Sequence, residues 1–105
     1  MTRFNTPGFI EGQIDKNENI DIRRKRLKFR SWHRGIKEAD ILLGSFADQF
    51  LKDMTEEQLD KYENLLREAD SDLVAWITKD RPAPAKYDHD VMAMLKSIDY
   101  IKILK

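Results

Sequence analysis

Leu42, Phe46 and Phe50 recur every fourth residue, a spacing that stacks side chains on one face of an α-helix. No stretch between turn signals alternates with the period of two that a half-buried strand requires. Further stripes run through Leu59, Tyr62, Leu65 and Leu66, through Leu73, Trp76 and Ile77, and through Val91, Leu95 and Ile98. Start and stop signals cut this pattern into short pieces. Asp21 is placed to cap a helix over 22–34, which Gly35 ends through the left-handed conformation open to glycine. A second helix follows over 37–51; Ile41 and Leu43 widen its apolar face and Gly44 loosens its middle. Thr55 with Gln58 forms a capping box, and Glu56 and Glu57 suit the positive end of the third helix. Ser71 caps a fourth, which Pro82 and Pro84 forbid from continuing. A fifth begins near Asp88. The expected fold is all-α, a compact five-helix bundle over 22–100, with 1–21 a mobile N-terminal tail and 101–105 a C-terminal tail. Its expected core is Leu42, Phe46, Phe50, Leu59, Tyr62, Leu66, Leu73, Trp76, Ile77, Val91 and Leu95.

A chain of 105 residues suits one domain. The sequence has no cysteine, which removes disulfides, thiolate metal sites and a cysteine nucleophile. No apolar run approaches the roughly 20 residues of a membrane span, so no membrane insertion is expected. The first residues resemble neither a secretory signal nor a transit peptide, and a bacterial cytoplasmic location is the expectation. No glycine-rich phosphate loop is present, so no dinucleotide fold is encoded. His33 and His89 are the only histidines and lack partners at ligand spacing, which leaves no metal site. His89, between Asp88 and Asp90, reads as a solvated turn residue, and Met92 and Met94 as packing filler.

The net charge of zero conceals a strong asymmetry. Residues 22–37 carry eight bases and no acid; residues 38–72 carry eleven acids and three bases. Either the basic part meets an acidic partner or the two segments pack together and neutralise each other. Phe29 and Trp32 interleave the bases, a mixture that suits a binding face, and nucleic acid is one candidate ligand. Against it stand a pI near 6.7 and Glu38, Asp40 and Asp48, which repel phosphate from the second helix. Arg34, Gly35 and Glu38 each have a plain structural use: a cation in a last turn, a turn residue, an anion in a first turn.

Leu27-Lys28-Phe29-Arg30-Ser31, then Arg34-Gly35-Ile36-Lys37-Glu38, then Ala39 to Phe46, and later Leu65 to Ile77, form an ordered set. That set resembles the flavinator family of succinate dehydrogenase assembly factors, whose hallmark is RGxxE. The resemblance runs from about Arg24 to Ile98. It implies a five-helix bundle, not itself an enzyme, that binds the flavoprotein subunit of succinate dehydrogenase or fumarate reductase. There it promotes covalent attachment of FAD to a histidine of the partner, binding no cofactor stably itself, and it is a monomer when free. For a eukaryotic relative the mitochondrial matrix takes the place of the cytoplasm. Arg34, Gly35 and Glu38 are the partner-binding residues the resemblance carries over, followed by Arg30 and Asp40. Gly35 would admit the partner's backbone and Arg34 would pair with a partner carboxylate. Glu38 would either accept hydrogen bonds from the partner or brace Arg34. The rival reading is a small nucleic-acid-binding module using 22–37.

Overall fold

The computed structural model describes residues 18–99, so the expected tails lie almost wholly outside the described residues. Five α-helices follow in order: α1 Ile20–Trp32, α2 Lys37–Phe50, α3 Glu56–Leu65, α4 Asp70–Ile77 and α5 Asp90–Lys96. Single 3₁₀ turns, Leu51–Asp53 and Ala85–Tyr87, precede α3 and α5. The described residues contain no strand, and the all-α five-helix expectation holds.

The helix ends show where side-chain chemistry differs from the simplest reading. Asn19, not Asp21, starts α1: its Oδ1 accepts from the amides of Asp21 at 2.7 Å and Ile22 at 3.4 Å. The helix closes at Trp32, two residues before the expected end. There the His33 Nδ1–H donates to the Phe29 carbonyl at 2.7 Å and satisfies one of the orphaned end groups. Gly35 therefore does not terminate α1, and its φ is not in the left-handed region. The one non-glycine residue there among the described residues is Lys79, φ 70°, just after α4. The Thr55–Gln58 capping box is present in both directions. Ser71 is not the cap of α4, which starts at Asp70 behind Ala69 without a side-chain cap. His89 caps α5, its Nδ1 accepting from the Met92 amide at 3.1 Å, so it is a half-buried structural residue rather than a solvated one.

The expected core residues are buried, except Phe50, which is half-buried at the end of α2. Leu27, Ala39, Leu43, Met54, Leu65, Tyr87 and Met92 join them. Gly44 has a packing role in place of a loosening one. A Cβ there would overlap the indole of Trp32, whose Nε1 donates to Asp48 at 3.2 Å. The missing side chain is what seats α1 on α2.

Among the described residues one charged group lies wholly inside. Glu63 of α3 has no solvent exposure. Its Oε1 accepts from Arg23 Nε at 3.2 Å and Nη2 at 3.0 Å, and its Oε2 from Arg26 Nη1 at 2.7 Å. Arg23 also reaches Asp60 at 2.6 Å, and Arg26 grips Glu18 through two nitrogens at 2.9 and 2.8 Å. Arg24 donates to the carbonyls of Leu51 and Met54 at 2.9 and 2.8 Å. The basic and acidic segments thus neutralise each other inside the fold.

Two measurements test this packing. Glu63→Gln keeps the shape but leaves buried guanidinium charge unmatched, and should cost about 3 kcal/mol in urea unfolding; Glu57→Gln, at an exposed i,i+4 pair, should change stability by less than about 0.5 kcal/mol. Gly44→Ala should destabilise by about 1–3 kcal/mol through overpacking. Helix propensity alone calls for a gain of about 1 kcal/mol, so the sign of the measured change decides whether Trp32 needs the glycine.

Candidate functional site

The turn joining α1 to α2 carries Arg34, Gly35 and Ile36, and Lys37 and Glu38 open α2. The Arg34 side chain runs inward and keeps only 10% of its exposure. Its Nε donates to Asp70 Oδ1 at 2.7 Å, and its Nη2 donates to the Leu66 carbonyl at 3.0 Å and the Glu68 carbonyl at 3.4 Å. Leu66 is the C-cap of α3, where the free carbonyls and the negative dipole end favour a cation. Arg30, one turn earlier, donates to the same Leu66 carbonyl at 3.4 Å. The two arginines thus tie α1 to the far end of α3.

Two carboxylates hold the backbone of the turn. The Gly35 amide donates to Asp70 Oδ2 at 2.6 Å, and the Arg34 amide donates to Asp40 Oδ1 in a short hydrogen bond. Asp70 therefore uses both oxygens on adjacent residues, a side chain and a main-chain amide. A Cβ at position 35 would lie 2.9 Å from Asp70 Oδ2. The glycine serves close approach of a carboxylate, not a left-handed turn.

Glu38 stands apart. It lies exposed in the first turn of α2 and makes no hydrogen bond or ion pair with any described residue. Bracing of Arg34 falls to Asp70 and Asp40. Ile36 beside it keeps 40% exposure, one of three large apolar side chains so exposed among the described residues. The structure thus brings Arg30, Arg34, Gly35 and Asp40 into one bonded cluster and leaves Glu38 on its outer rim. Asp70 was missed in the sequence. It lies 36 residues from Arg34 with no local pattern linking them, and the one signal was its place within the stretch Leu65 to Ile77 that resembles the family.

Of the two readings of the charge asymmetry, the arginines of 22–37 follow the one in which the segments pack together. Arg23, Arg24, Arg26, Arg30 and Arg34 all turn toward acids or carbonyls of the fold. Trp32 is half-buried on Gly44, and Phe29 stacks on His33 at 3.9 Å between centroids. Nothing here favours the nucleic-acid reading.

Residues 25–99 match the sequence profile of the family described as flavinator of succinate dehydrogenase. The chain belongs to that family. Similar curated proteins named succinate dehydrogenase assembly factor 2, mitochondrial, include one from Lodderomyces elongisporus, 46% identical over 83 residues, covering 75% of this chain and 51% of the relative. One from Danio rerio is 46% identical over 81 residues, again 75% and 51%. Assembly factor 2-B, mitochondrial, from Drosophila ananassae is 37% identical over 104 residues, 94% of this chain and 63% of the relative. The chain spans about half the length of the first two. The flavinator profile covers α1 from Lys25, the whole turn and both segments that bond to it.

The junction that receives Arg34 is itself fixed by Tyr87, whose hydroxyl donates to Glu68 in a short hydrogen bond. Burial first, and then Glu68, push this phenol up to about 12 from its ordinary 10.0. Its folded value lies above its unfolded one, so its stabilisation is complete below pH about 10 and is lost as pH rises through about 12. Tyr87→Phe should therefore show a shallower loss of stability across that window than the unaltered chain in thermal unfolding. An unchanged slope would remove Tyr87 from the account.

Proposed function

We propose that this chain binds the flavoprotein subunit of succinate dehydrogenase, or of fumarate reductase, and assists covalent attachment of FAD to it. Membership of the flavinator family supports the reading. The observation that carries it is the exposed Glu38 carboxylate, without a partner among the described residues, beside a turn whose Arg34 and Gly35 are bonded inward. A contact residue beside a turn already ordered by internal bonds loses less freedom on binding than one on a loose turn.

Arg34, Gly35, Glu38, Arg30 and Asp40 are all assigned to this partner site, in two roles. Glu38 meets donors of the client, and the backbone at Gly35, which has no side chain in the way, admits the client closely. Arg34, Arg30 and Asp40 build the turn from behind. Arg34 does this in place of forking to a client carboxylate, since its Nε and Nη2 are taken up by Asp70 and Leu66. FAD is cargo that ends on the client; the chain acts by binding, as a free monomer that engages the client transiently, and supplies no group to the bond. The compartment follows the client. The names of the relatives place those proteins in mitochondria, and the matrix is then the site of action; a bacterial client would place it in the cytoplasm.

Cells lacking this chain, complemented with the wild-type chain or with Glu38→Ala, provide the test, read as covalent flavin fluorescence on the denatured flavoprotein. Wild type should restore the signal and Glu38→Ala should lower it about tenfold, the effect of losing one charge-assisted hydrogen bond. Covalent flavin that is independent of this chain would end the proposal.

A further inference from the structure

The Asp70 carboxylate makes no hydrogen bond to the amides of its own helix. Asp70 is the first residue of α4, whose N-cap, Ala69, supplies no side-chain acceptor. An acid in the first turn of a helix ordinarily serves the positive end of that helix. Here both carboxylate oxygens leave the helix for the α1–α2 turn, one to Arg34 Nε at 2.7 Å and one to the Gly35 amide at 2.6 Å. The carboxylate keeps 18% of its exposure, and the arginine 10%, so water competes weakly for either.

We infer that Asp70 is a positioning residue for the client-binding turn: it fixes the backbone at Gly35 and thereby the direction in which Ile36 and Glu38 project. The inference rests on the client reading given above and extends it to a residue 35 positions from the glycine it holds. The turn is held from one side by Asp40 on the Arg34 amide and from the other by Asp70. Between the two, Ile36 adopts extended backbone, φ −130° and ψ 151°, and starts α2 without any side-chain cap of its own. Position 36 is therefore shaped by its neighbours' tethers and not by a local cap. With the Asp70 tether cut, the turn samples other conformations, and apparent affinity for the client falls by the fraction of molecules that keep the competent one.

Asp70→Asn keeps the size of the side chain but only one acceptor oxygen, so it cannot hold both donors. Asp70→Glu keeps the charge and moves the acceptors outward by one methylene. Both are to be made in the full chain, beside Val91→Ala as a variant destabilised at the far core and Glu38→Ala as a variant of the proposed contact. Three quantities are read: the folded fraction at the assay temperature, the amide resonance of Gly35, and binding to the purified flavoprotein subunit lacking FAD. The expected result is a Gly35 amide proton moved upfield in both Asp70 variants, with client binding weakened at least about tenfold. Val91→Ala should bind as the wild type does at equal folded fraction. Asp70 variants that bind like the wild type, while Glu38→Ala is weakened, overturn the inference and leave the client reading intact. A loss of binding no greater than the loss of folded molecules overturns it too, by making Asp70 a stability residue only. A wild-type chain that does not bind the flavoprotein overturns the client reading and this inference with it.

Discussion

A carboxylate without access to water holds the basic helix to the acidic one. Glu63 is fully buried and bonded to Arg23 and Arg26, and its position dictates how α1 lies. A helix with four arginines and only two wholly buried side chains, Leu27 and Ser31, has little apolar surface of its own to bury. Its attachment depends on arginines whose aliphatic stems cover the core while their heads find acids and helix-end carbonyls. Desolvating those heads is expensive, and the balance closes only because each head meets several acceptors. Ser31 and Tyr62 complete the contact, with their hydroxyls 2.6 Å apart inside the fold.

This is also why the charge asymmetry of the sequence pointed two ways. Composition counts charges and says nothing of direction. Arginine at 23, 26, 30 and 34 follows the same three-to-four spacing as an apolar stripe, and that spacing marks an inward face as readily as leucine does. The lysines behave differently. Lys25, Lys28 and Lys37 stay exposed, in keeping with a compact, strongly hydrated ammonium beside a flat guanidinium that tolerates partial burial.

Much of the fold was legible because its signals are local. The capping box at Thr55 and the four-residue period in α2 each link residues within about one turn of helix. The elements misplaced are those whose ends depend on distant groups. Ser71 reads as a cap, but Asp70 ahead of it is drawn to Arg34, and the helix begins two residues earlier than that cap implies. Gly35 reads as a helix stop, yet α1 has already ended, and the glycine is there for the approach of a carboxylate from another helix. Gly44 reads as a weak point, and it is the seat of Trp32. In all three cases a residue chosen for a tertiary contact looks, in one dimension, like a residue chosen for a local bend. The site divides in the same way. The motif Arg34 to Glu38 is contiguous in sequence, but Arg34 is internal while Lys37 and Glu38 are external, a distinction that only the position of Asp70 makes visible.

A small protein that must hold a much larger one gains most from not having to organise itself on contact. Each side chain or loop ordered at the moment of binding subtracts from affinity. In this fold the ordering is done in advance: Arg34 is anchored at the end of α3, Gly35 at the start of α4, and the Arg34 amide at Asp40 in α2. Three helices thus converge on five residues. The helices themselves are short, seven to fourteen residues, and would not be stable alone. Their joint purchase on the turn is what a chain of this size has in place of a deep pocket, and it leaves one unmatched carboxylate, Glu38, pointing away from the fold.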